Sequence, residues 1–162
     1  MTDILRLLLI IILLTISLTA YFLVIGALFS SRVEKTQRVI QQMSGRALGV
    51  GFVNFLFLGV IAIVLFSIAD GISGLGKGLL TLPALLITIL LAVLLSIGLA
   101  GLVNIMGEKL FSELSILRQR IWASVILALA CALPFVGWFL LFPYIGFVGV
   151  GAVILGFLQR ER

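Results

Sequence analysis

Histidine is missing from all 162 residues. That removes the commonest general base, the commonest zinc ligand and the usual axial ligand of haem. Cysteine occurs once, as Cys131 inside an apolar run. Neither an intramolecular disulfide nor a thiolate metal cluster can form from one cysteine in one chain. Charge is scarce too: 10% of residues are Asp, Glu, Lys or Arg, against about a quarter in soluble domains. None of these falls within 7–29, 47–69, 83–106 or 121–158. Transporters and proton pumps usually carry ionisable groups inside the membrane, facing a cavity. Lys35, Lys77 and Lys109 all lie in polar connections, so with histidine gone no nucleophile–base pair is in reach. No enzyme activity, metal or cofactor is expected, and nothing specific signals a pigment or quinone.

What remains is hydrocarbon, 63% of the chain. A membrane core of roughly 30 Å takes about 20 apolar residues per helix. The chain therefore has length for four or five crossings and little else. Long continuous runs, rather than period-2 alternation, predict helices and not a barrel. The expected fold is all-α and integral to the membrane, a single domain over residues 1–162. It has three full transmembrane helices and a carboxyl-terminal helical hairpin broken by proline and glycine, with amphipathic helices as the cytoplasmic connections.

The first run, Leu7 to Phe29, is too long for the apolar region of a signal peptide and lacks a small-x-small cleavage site. It reads as a retained anchor. Ser30 to Arg46 follows, the longest polar interval between apolar runs, with Arg32, Lys35, Arg38 and Arg46 against a single acid, Glu34. Val33, Ile40 and Met43 share one side of a helical wheel, and Glu34 precedes Arg38 by four residues, the favourable order. An amphipathic helix at the headgroup level fits this pattern, as does an ordinary helical connection with a solvated face. The four basic residues are the candidate contacts with anionic lipid or an acidic partner.

The second run, Ala47 to Ala69, begins at GRALGVGF, where Gly45 and Gly49 have the small-xxx-small spacing of closely packed helices. Asn54 lies about two turns in and is expected to hydrogen-bond across helices. Gly71 to Gly78 comes within one residue of a phosphate-binding loop, but Gly78 stands where Ser or Thr would hold magnesium, and no strand precedes it. A tight turn is expected instead, with Pro83 at the start of the third run, Pro83 to Met106. Gly107 to Arg120 carries Leu110, Leu114, Leu117 and Ile121 at helical spacing, a second amphipathic helix. Asp70 and Glu108 sit just past helix ends and read as solvated interfacial carboxylates.

The last run, Ile121 to Leu158, would be about 57 Å long as one straight helix at 1.5 Å per residue, far beyond a bilayer. It must fold back at Pro134, Gly137 and Pro143, as a re-entrant hairpin or as two tilted spans. Gly146, Gly149 and Gly151 in its second arm invite close packing. Trp122, Trp138 and Tyr144 read as interface anchors.

A hairpin returns the chain to the side it left. The basic connection, Gly107–Arg120 and the tail 159–162 then share one side; of the eleven basic residues only Arg6 and Lys77 lie elsewhere. The positive-inside rule makes that side cytoplasmic, with the amino terminus outside. The net charge of +5 thus belongs to helix ends near anionic headgroups. Nucleic acid is not an expected partner, since no basic surface with interleaved aromatics stands outside the bilayer.

Ala132-Leu-Pro-Phe-Val-Gly-Trp138 with the glycine-rich arm after it, together with GRALGVGF, resembles the membrane domain of bacterial bactofilin-associated, polymer-forming cytoskeletal-type proteins. The resemblance covers roughly Tyr21 to Leu158. In that family the membrane domain often accompanies a soluble β-helical domain, which has no counterpart in these residues. The resemblance implies a scaffold or anchor of a bacterial inner membrane. Two other readings fit the composition. One is a small accessory subunit of an energy-transducing complex. The other is a self-associated channel or small-solute carrier, with Asn54 and the Pro134 break lining a path.

Overall fold

The computed structural model describes residues 2–132, 139 and 142–158. Among them the fold is all-helical. In chain order the helices are α1 (Thr2–Leu28), α2 (Ser30–Asp70), α3 (Leu75–Leu110), α4 (Ile116–Ala132) and α5 (Phe142–Leu158). Three of these, α1, α2 and α3, are long and apolar enough to cross a membrane.

The polar interval after α1 is no loop. Only Phe29 separates α1 from α2, and α2 runs on through the basic residues into the second apolar run. Its axis breaks at Met43, the one residue inside it with non-helical angles (φ −141°, ψ 42°). Ser44 and Gly45 follow directly, and such a pair is a common cause of a helix kink. The break makes a short arm, 30–43, and a long arm, 44–70. On the short arm Val33, Thr36, Val39 and Ile40 are buried, a stripe at helical spacing. Val33 packs with Leu94, Ile97 and Ala100 of α3 and with Val150 and Val153 of α5. The stripe faces protein.

The α2–α3 turn is Gly71–Gly74, where Gly74 takes φ 74°, the left-handed conformation that glycine adopts without strain. Helix α3 begins at Leu75, so Pro83 lies about two turns inside it. The expectation that Pro83 opens the helix is corrected: an apolar run continues smoothly through a proline when neighbouring groups relieve the freed carbonyl. Likewise Gly107–Arg120 is not a helix of its own. Helix α3 extends to Leu110, residues 111–115 turn, and α4 starts at Ile116. Leu110, Leu114 and Leu117 therefore do not share one helical stripe.

Helix α5 is the centre of the molecule. From Ile145 to Val153 every residue except Phe147 is buried, as expected of a helix apolar all round. It packs mainly against α2 and α3, and small residues set the approach. A Cβ built on Gly151 would overlap the carbonyl oxygen of Ala47, and one on Gly51 that of Phe147. Gly149 meets Gly98 of α3 main chain to main chain, and Gly146 lies against Leu95. A second layer forms where Phe22 of α1, Val103 of α3, Leu127 of α4 and Ile145 of α5 pack together. Pro143 occupies the first turn of α5, where its missing N–H costs nothing. Pro134 and Gly137 lie outside the described residues, as do Trp138, Arg160 and Arg162.

Candidate functional site

One end of the bundle collects the polar side chains. The short arm of α2 brings Glu34, Gln37 and Arg38 against the last turns of α3, which carry Asn104 and Glu108. The start of α4 adds Ile116, Gln119 and Arg120, and the three helices enclose a cleft of about 270 Å³. Each helix contributes by simple periodicity: residues three or four apart share a face.

The cleft is tied together at one point. Gln37 Nε2 donates to Glu108 Oε2 at 2.7 Å. Gln119 Nε2 is committed to the Leu114 carbonyl at 2.8 Å, which fastens the 111–115 turn to α4. Gly107 meets the main chain of Gln119 closely enough that a Cβ there would crowd it. Arg120 reaches toward α1, its Nη1 standing 3.7 Å from the place of a Cβ on Gly26. Glu34, Arg38 and Arg120 make no ion pair among the described residues, so the favourable Glu34–Arg38 spacing does not become a contact.

Asn104 stands apart. It is 8% exposed, lines the cleft, and its amide makes no hydrogen bond among the described residues. Other buried polar groups on these helices turn inward to their own backbones: Thr36 Oγ1 donates to the Arg32 carbonyl at 2.9 Å and Ser124 Oγ to that of Arg120 at 2.8 Å. Such back-bonds satisfy a hydroxyl without a partner helix. An amide with four hydrogen-bonding positions is left facing the cleft.

The remaining sequence candidates scatter. The Arg32 guanidinium lies 4.3 Å from the Phe157 ring centroid, a cation–π contact at the end of α5. Lys35 lies over Gly156. Arg46 is exposed beyond the kink, apart from Arg38. Gly45 and Gly49 are also exposed, with open space where a side chain would go. Within the chain, the close approach of α2 is made by Ala47 and Gly51 instead. Asn54 Nδ2 donates to the Val50 carbonyl of its own helix at 2.8 Å, in place of the expected bond across helices. Gly146, Gly149 and Gly151 are all at helix contacts.

Sequence reasoning passed over Gln37, Asn104, Gln119 and Arg120 as a group. Their signal was a lone amide, Asn104, four residues before Glu108 at the end of an apolar run. Among the described residues no set of three or more His, Cys, Asp and Glu side chains is placed to hold a metal. No family model, curated protein or solved structure matches the chain.

Proposed function

We propose that this chain is a non-catalytic, multi-pass scaffold or anchor for protein partners in a bacterial cytoplasmic membrane. The observation that carries the reading is helix α1. Leu8, Leu9, Ile12, Leu13 and Ile16 are each at least half exposed, and among the described residues the cluster and hydrogen-bond contacts of α1 with the bundle fall in its second half, at Leu18, Tyr21, Phe22, Ile25 and Gly26. Without water to drive apolar surfaces together, helices in lipid associate through packing, so a long uncovered helix is surface on offer to a partner helix. The same surface suits the accessory-subunit reading, in which the partners belong to one fixed complex.

The orientation follows from the gathered charge. Gln37 bonds Glu108, Arg32 covers Phe157 and Gly107 touches Gln119. The short arm of α2, the end of α3, the start of α4 and the end of α5 thus share one end of the bundle, which supports a hairpin entering and leaving on the same side. That end holds Arg32, Lys35, Arg38, Lys109, Arg118 and Arg120, and the opposite turn holds the Lys77–Asp70 pair at 3.3 Å. By the positive-inside rule the basic end is cytoplasmic and the amino terminus is outside. A scaffold or anchor is also what the resemblance to bactofilin-associated membrane domains implies.

Replacing Arg32, Lys35, Arg38 and Arg46 together by Glu tests the reading. Inverted topology or loss of partner association is the expected result, read by side-specific labelling and co-purification. Unchanged orientation together with unchanged partners would refute it.

A further inference from the structure

The cleft between α2, α3 and α4 has the features of a binding site. Its floor is Asn104, 8% exposed as a residue, whose amide has no hydrogen-bond partner among the described residues and stays accessible from the cleft. Its lining residues include two arginines, Arg38 and Arg120, the latter with its guanidinium beside Gly26 of α1, and two acids, Glu34 and Glu108, so their formal charges cancel. Among the described residues, Glu108 is the one of these four with a side-chain hydrogen bond, from Gln37. Charged groups of both signs are left with unused donors and acceptors in one small, partly enclosed space.

We infer that this cleft binds the zwitterionic headgroup of an ethanolamine phospholipid. A net anion would meet Glu34 and Glu108, and a net cation would meet Arg38 and Arg120. A ligand carrying both charges a few bonds apart satisfies both sets. Guanidinium groups suit a phosphate, which they contact through paired N–H donors. A primary ammonium offers three N–H donors to the carboxylates, and Asn104 adds a donor to the phosphate side. The volume, about 270 Å³, lies just below the usual range for small-molecule sites, fitting a headgroup and not a larger cofactor.

The position selects lipid over a free zwitterion. The cleft lies where α3 ends and α4 begins, with Ile116 in its lining and Leu117 and Trp122 exposed on the same first turns of α4. An interfacial tryptophan next to a polar opening is the setting of a headgroup with its acyl chains along the helices. The inference stands whether or not the protein scaffolds partners.

The test uses the full chain, delipidated and reconstituted in nanodiscs with equal minor fractions of phosphatidylethanolamine, phosphatidylcholine and phosphatidylglycerol, with retained lipid counted by native mass spectrometry. Phosphatidylethanolamine should be retained on the order of tenfold over phosphatidylcholine, whose quaternary nitrogen cannot donate the charge-assisted hydrogen bond. Soluble phosphoethanolamine should compete with it. The preference should vanish in Arg38→Gln/Arg120→Gln and in Asn104→Leu; the exposed Arg38→Gln alone should weaken it with helix content unchanged. Equal retention of the three lipids, or a preference untouched by Arg38→Gln/Arg120→Gln in folded protein, would overturn the inference. So would binding of phosphoethanolamine or glycine by a protein that shows no lipid preference.

Discussion

Gly98 and Gly149 meet main chain to main chain where α3 packs on α5. Nothing but hydrogen fits between them, and the same holds for Gly51 against Phe147 and Gly151 against Ala47. In lipid such close approaches supply dispersion contacts and weak backbone interactions that the hydrophobic effect does not.

Gly151→Ala should therefore destabilise the fold. A helical Gly→Ala change gains up to about 1 kcal/mol in propensity, but overpacking against a rigid carbonyl costs about 1–3 kcal/mol. The clash wins, because backbone cannot rotate away as a side chain can. Gly49→Ala, with open space around it, should keep the propensity gain and be neutral or stabilising. Thermal unfolding of both variants in one detergent checks the pair; equal shifts would contradict the packing.

Docking of the short arm of α2 rests on Val33, which is 1% exposed. Val33→Ala should cost about 1–3 kcal/mol in stability by leaving a cavity between α3 and α5. In a Cys131→Ser background, a cysteine at position 33 should resist maleimide in the folded protein, whereas one at Glu34 should react. Equal labelling would place the arm outside the bundle.

Tyr21 on α1 hydrogen-bonds Ser96 of α3. Ser96 Oγ itself donates to the Ala92 carbonyl at 2.6 Å, which leaves the phenol as donor, since a hydroxyl has one proton. A double-mutant cycle with Tyr21→Phe and Ser96→Ala should give a coupling of about 0.6 kcal/mol, typical of hydrogen bonds between membrane helices. Zero coupling would remove this tie between α1 and the bundle.

By contrast, the Lys77–Asp70 pair joins side chains that are 53% and 80% exposed. Such pairs contribute little, with a median near 0–1 kcal/mol, further reduced by salt. Lys77→Ala should leave the melting temperature nearly unchanged.

The apolar runs alone disclosed the helical class and the three long helices, because the bilayer's thickness writes itself into run length. Element ends were harder. Leu75–Thr81 is helical although glycines 76 and 78 spell a turn, because the turn is confined to Gly71–Gly74, where Gly74 takes the positive φ. The packing register of α2 was invisible for a geometric reason. Gly45–Gly49 and Ala47–Gly51 both have small-xxx-small spacing, and a two-residue offset rotates one set roughly 200° from the other. Only α5 decides between them. The cleft was hidden too, because Gln37 and Glu108 meet across 71 positions of sequence and no local pattern reports that.

The central claim is that the uncovered length of α1 holds a partner. Its most direct test is gentle purification of the tagged chain from its own membrane, followed by native mass spectrometry, with and without Leu9→Ala, Leu13→Ala and Ile16→Ala on one face of α1. The account predicts a fixed stoichiometric set of other proteins that the three substitutions release while the chain stays folded. Isolation of this chain alone, or a partner set indifferent to those substitutions, would contradict it.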